Sequence, residues 1–179
     1  MFYAVDLQKE GVLKFADAGC QSWIQGLPLG SYKHPVHGDI TITTERVQRF
    51  VKHFNERVRD IDLDIDYEHK EFTSKAAGWI VGAEDRGDQG LWLLIEWTPS
   101  AFQSLKEREY RYFSPEFNDV WVHPKTGQRF SDVLFGGAIT NRPFLKDIAP
   151  INLSEFGHYP QGDEPMDELL KQLSELFGL

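Results

Sequence analysis

Cysteine is nearly absent: Cys20 stands alone among 179 residues, so no internal disulfide can form and the chain fits a reducing compartment such as a cytoplasm. No run approaches the ~18 uninterrupted apolar residues of a membrane span. The first residues lack the layout of a secretory signal, so a membrane association is not expected. Basic residues are outnumbered, 19 Lys and Arg against 28 Asp and Glu, giving a net charge of −9. That balance argues against a surface for duplex nucleic acid, whose affinity comes mainly from neutralised phosphates. No internal repeat is visible. What is present suffices for a core, since 41% of the residues are hydrophobic and 13% aromatic. The size is that of one ordinary domain with an appendage.

The most ordered pattern lies between Asp60 and His69. Acids occupy every second position (Asp60, Asp62, Asp64, Asp66, Glu68) and Ile61, Leu63, Ile65, Tyr67 and His69 the positions between. Strict alternation predicts a strand with the acids on one face and His69 closing the apolar face. An imidazole at a strand end can act as a general base if a nucleophile reaches it from elsewhere.

Around this stretch the periodicity alternates between strand and helix. Residues 2–7 and 12–16 read as a peripheral hairpin, and a Pro/His/Gly loop is expected through Asp39. Thr43 or Thr44 can cap a helix bearing Val47, Phe50, Val51, Phe54 and Val58 at helical spacing. Residues 76–97 read as a hairpin with a charged, glycine-containing turn, and Trp79, Trp92 and Trp97 as its core residues. Thr98-Pro99 starts a second helix running to about Glu109, with Phe102 and Leu105 buried. Residues 110–122 and 130–140 read as two further strands, and the domain closes near Ile151. Residues 153–165 have the composition of a linker, and 166–179 form an amphipathic helix too short to stand alone.

The candidate nucleophile is Ser114, in Tyr110-Arg111-Tyr112-Phe113-Ser114-Pro115-Glu116-Phe117. A residue before proline is held extended, and Pro115 has no N–H for a neighbouring strand, so Ser114 is presented where pairing is interrupted. For the same reason Pro115 cannot donate to an oxyanion, as the residue after the serine does in a nucleophile elbow. Such donors have to come from elsewhere, and residues 135–143 are one source.

Six segments in order, spanning about residues 23–151, resemble one family. They are Leu27-Pro28-Leu29-Gly30-Ser31-Tyr32, Ile65-Asp66-Tyr67-Glu68-His69, Ala76-Ala77-Gly78-Trp79-Ile80, Gly90-Leu91-Trp92 with Glu96-Trp97-Thr98, the Ser114 segment with Glu109, and Gly137-Ala138-Ile139-Thr140-Asn141-Arg142-Pro143. Together they are similar to the Mu-like prophage I proteins, head-maturation proteases of tailed phages. The resemblance implies an α+β fold, a mostly antiparallel β-barrel flanked by helices, related to prohead proteases and herpesvirus assemblin. It also implies a serine endopeptidase with His69 and Ser114 as the catalytic pair and no cofactor. The expected partners are the phage scaffold protein, the major capsid protein and the chain itself, inside the assembling prohead in the host bacterial cytoplasm. Residues 1–152 would be the protease domain, and 166–179 the start of a scaffold region. Broader prohead proteases carry an acid where this chain reads Phe135-Gly136-Gly137-Ala138. The orienting or oxyanion residues therefore stay open among Asp66, Glu68, Glu116, Asn141 and Arg142, with alternation turning Asp66 and Glu68 away from His69.

Competing readings attach to the same residues. Asp62, Asp64 and Asp66 suggest a metal-dependent hydrolase, but one strand face without an EF-hand loop or a His-x-x-x-His pair reads better as a solvated edge. His34 and His37 fit a polar loop better than a zinc site, and Cys20 has no basic neighbour to activate it. A non-catalytic scaffolding or binding protein of the phage head is the remaining alternative.

Overall fold

Helix α1, Thr44–Asn55, begins where its cap requires: the Thr43 hydroxyl accepts from the Arg46 N–H at 3.4 Å. Its spacing of Val47 and Phe50 buries both completely. Helix α2, Pro99–Lys106, is capped in the same way by Thr98 with proline at its first position. It ends before Glu109, and Ala101 and Leu105 are its buried residues. The computed structural model describes residues 20–34, 38–69 and 75–154. The expected N-terminal hairpin, His37 and the expected 166–179 helix lie outside the described residues, as do most of the expected linker and the side chain of His34.

Among the described residues eight strands accompany the helices: β1 Gln21–Leu27, β2 Gly30–His34, β3 Gly38–Ile42, β4 Leu63–Tyr67, β5 Gly78–Asp85, β6 Leu91–Trp97, β7 Tyr112–Val122 and β8 Arg129–Thr140. Six form one sheet in the order β1-β6-β5-β4-β8-β7, while β2 and β3 form a separate hairpin where a loop was expected. Four of the five pairings in the large sheet are antiparallel, and β4–β8 is parallel. The sheet curls into a half-barrel with β1 and β7 as its outer strands. The α+β character expected from the sequence is therefore observed. Ile65, Phe113 and Ile139 on the large sheet belong to one core with Leu27, Ile42 and Phe50.

Four sequence expectations need correction. Pairing is not interrupted at Ser114-Pro115: both lie within the β7–β8 ladder, beside Ala138 and Gly137, and the irregularity comes two residues later, between Glu116 and Phe117, because a strand can carry a proline where its missing N–H leaves the ladder intact. The acidic strand is shorter than its alternation, because β4 stops at Tyr67 and Glu68 and His69 take positive φ values of 60° and 55°. Asp66 is buried, at 8% exposure, rather than solvated, while Ile61 at the other end is exposed. Trp97 and Trp92 are buried as expected, but Trp79 faces outward on β5.

One buried acid ties α1 to the β7–β8 hairpin. Asp132 accepts from Nε of both Arg46 and Arg49 at 2.6 Å, and Arg46 also reaches Asp119 and the Thr41 carbonyl. A buried carboxylate survives when such donors satisfy it, and here they fix the far end of β8 to the helix.

Candidate functional site

Pairing in the large sheet brings Asp66 and Ser114 into one cross-strand row. In register, Asp66 on β4 stands beside Ala138 on β8, and Ala138 stands beside Ser114 on β7. Residues opposite one another on adjacent strands share a face, so Asp66 and Ser114 lie on the same face with only an alanine side chain between them. Each step across the sheet is about 4.8 Å. Phe113 and Ile139 occupy the opposite, core-facing row.

Two glycines permit this close arrangement. A Cβ on Gly137 would lie 2.4 Å from Cζ of Phe113 and 2.7 Å from the Ser114 carbonyl oxygen. At Gly136, φ is +140° and a Cβ would lie 2.4 Å from the Asp64 carbonyl oxygen. A bulge follows, because Glu116 pairs with Gly136 but Phe117 with Leu134. Gly136, Gly137 and Ala138 were not singled out as site residues from the sequence. A glycine pair inside a strand pattern was the available signal, since it marks a bulge or a close approach of backbones.

His69 is delivered by the end of β4. The Glu68 N–H donates to the Ile139 carbonyl at 3.1 Å, continuing the ladder one residue beyond the strand. The chain then turns, and the His69 N–H donates to Oδ1 of Asp66 at 2.9 Å. Two successive non-glycine residues with positive φ carry a conformational cost of about 1–3 kcal/mol each. Asp66 offsets part of it by satisfying the amide that the turn exposes. Alternation counted against Asp66 because it assumed that the strand continued, and the contact that the turn makes is with the His69 backbone.

The two candidates open onto one cavity of about 530 Å³, lined by His69, Ser114, Glu116 and Arg142 among others. Ser114 is half-buried, whereas His69 is exposed on the cavity wall. The other residues considered from the sequence divide clearly. Asn141 donates its side-chain amide to the Glu109 carbonyl at 2.7 Å, bracing the approach to β7. The backbone N–H of Arg142 turns back to the Thr140 hydroxyl at 3.1 Å, and Arg142 is also among the residues that line the cavity. Glu116 is exposed and close enough to Arg59 to support that guanidinium's charge against burial.

The tyrosines of the two motifs also meet. Tyr67 and Tyr110 pack edge to face with ring centres 5.6 Å apart. Burial raises the Tyr110 hydroxyl pKa above its ordinary value, and the Glu68 carboxylate adds to the shift. Asp62, by contrast, pairs with Arg57 at 2.8 Å, and among the described residues no group of three or more His, Cys, Asp or Glu side chains could hold a metal ion. Nor does any helix among them have the length and apolarity to cross a membrane.

Comparison with known proteins agrees with the order of these segments. Residues 24–152 match the family model described as Mu-like prophage I protein, N-terminal domain. The Mu-like prophage FluMu I protein of Haemophilus influenzae is 27% identical over 133 residues, which cover 66% of this chain and 36% of that protein. The match thus spans little more than a third of that relative. No solved structure matches the chain.

Proposed function

This chain belongs to the Mu-like prophage I protein family, and from that premise we propose that it is a serine endopeptidase of phage head assembly. The observation that supports the reading is the shared cavity: His69, just past the end of β4, and Ser114 on β7 are both among its lining residues. In a resting protein a serine hydroxyl is a weak nucleophile, and a neighbouring imidazole supplies the missing base.

In the proposed reaction, His69 takes the proton from the Ser114 hydroxyl as Oγ bonds to the scissile carbonyl carbon. The C–N bond then breaks, His69 returns the proton to the leaving amine, and water releases the acyl group by the reverse proton path. Asp66 acts as a positioning residue, holding the His69 backbone at the turn. Pro115 has no N–H for the oxyanion, so Arg142, which lines the cavity, is assigned that charge through its guanidinium.

The curled sheet with its two helices is compatible with an α+β fold, and the prohead protease and assemblin type of β-barrel is part of the proposal. The proposed substrates are the phage scaffold protein, the major capsid protein and the chain itself, cut inside the prohead in the host cytoplasm. Incubation with the scaffold and capsid proteins of the same phage, followed by mass spectrometry of the products, tests this. Defined fragments are expected from the wild-type chain and none from a folded Ser114→Ala variant. Identical fragments from both would overturn the reading.

A further inference from the structure

We infer that the open edge of β7 is the seat of an extended polypeptide, aligned along residues 114–119 and presenting one apolar side chain to a surface carried by Ile40 and Phe144 and backed by Leu27, Ile42 and Leu145. This inference rests on the proposed Ser114–His69 reading and adds the class of substrate and the way it is held.

β7 is the last strand of its sheet. One edge pairs with β8 from Tyr112 to Val122, and among the described residues no strand pairs with the other. The cavity that contains His69 and Ser114 is lined by six consecutive residues of this strand, 114–119. Six extended residues span roughly 20 Å, so the cavity is a trough along a sheet edge. Extended peptides bind such edges by adding a strand: main-chain hydrogen bonds hold the peptide, and pockets for alternate side chains select it. Pro115 fits an open edge, where a missing N–H leaves no ladder bond unmade.

The remaining lining supplies the selection. Ile40 and Ile42 come from the β2–β3 hairpin, and Phe144 and Leu145 from the segment after β8. Leu27, Ile42 and Leu145 are 0%, 2% and 6% exposed and belong to the main core, so they back the trough, while the half-buried Ile40 and Phe144 packed against that core carry its accessible apolar surface. A charged side chain packed against these apolar residues would lose its water, and none of them carries a polar side-chain group to replace it. The β2–β3 hairpin, read from the sequence as a loop, thereby becomes a wall of the substrate trough.

Binding without turnover tests this. The Ser114→Ala chain is titrated into fluorescein-labelled acetyl-Ala-Ala-X-Ala-Ala-Ala peptides and followed by anisotropy. Leucine at X is expected to bind at least about tenfold more tightly than aspartate, and Ile40→Glu to remove about tenfold of the leucine affinity. Ile40→Ala serves if Ile40→Glu does not fold, with a smaller loss. N-methylation of alternate amides in the leucine peptide should weaken binding severalfold for one alternate set and little for the other. Equal affinity for both X residues, no detectable binding, or indifference to methylation overturns the inference. Labelling of the unmodified chain with a fluorophosphonate separates the two readings. Labelled Ser114 without a leucine preference overturns the trough alone, whereas a leucine preference without labelling supports the trough and overturns the nucleophile.

Discussion

The backbone N–H of His69 donates to the buried carboxylate of Asp66, three residues earlier, at 2.9 Å across a turn in which Glu68 and His69 both have positive φ. Removing the acceptor leaves that amide unmade in a strained segment. Asp66→Ala is expected to cost about 1–3 kcal/mol in urea unfolding and to lower kcat more than it raises KM, because the turn that aims His69 relaxes. Asp66→Asn keeps an acceptor oxygen and should recover most of both quantities. Equal losses from the two variants would show that the negative charge, rather than the turn, matters.

Gly137 lies under Ser114 with no room for a methyl group. Gly137→Ala places a Cβ against the Phe113 ring and the Ser114 carbonyl, so Phe113 has to leave its position or β7 has to shift. Overpacking of this kind costs about 1–3 kcal/mol. A denaturant midpoint unchanged from wild type would contradict the close approach of β7 and β8.

Asp132 is the buried anchor for Arg46 and Arg49. Asp132→Asn retains the shape and suits the positive φ of 55° there, but removes the charge. The expected loss is roughly 3 kcal/mol, the lower end of the range for broken buried pairs, because Arg46 and Arg49 keep some solvent. Equilibrium unfolding of Asp132→Asn beside the wild type measures it, and an unchanged stability would contradict the anchor.

Tyr110 carries a pH signature of the site. Burial first and Glu68 second raise its pKa, so the folded protein holds this proton at pH values where the unfolded chain has released it. The corresponding stability is therefore lost as pH rises above about 10, the ordinary tyrosine value. In the difference between wild type and Tyr110→Phe, phenolate absorbance should appear above that pH. Glu68→Gln should move it down part of the way, and no movement would separate Glu68 from Tyr110.

Much of this was legible in the sequence because the signals were local. Thr43 and Thr98 announce their helices by caps, and residues 78–97 announce a hairpin by alternation and a charged turn. His69 and Ser114 were legible as motif residues, while the cavity that joins them was not, since it depends on a parallel β4–β8 pairing between segments far apart in sequence. Asp66 was misread because period-two reasoning fails where the backbone turns left-handed, and nothing in Asp66-Tyr67-Glu68-His69 marks two positive φ values. The β2–β3 hairpin was missed because its strands are short and rich in glycine and polar residues, the composition of a loop.

The central claim is that Ser114 is a nucleophile activated by His69, and covalent labelling reads it most directly. The chain is treated with a fluorophosphonate and the modified peptide mapped by tandem mass spectrometry, beside His69→Ala and Ser114→Ala variants of unchanged melting temperature. The account predicts a single adduct on Ser114 in the wild type, labelling slowed by at least about a hundredfold in His69→Ala, and none at that position in Ser114→Ala. Labelling of Ser114 at the same rate with and without His69, or no labelling of the folded wild-type chain, would contradict it.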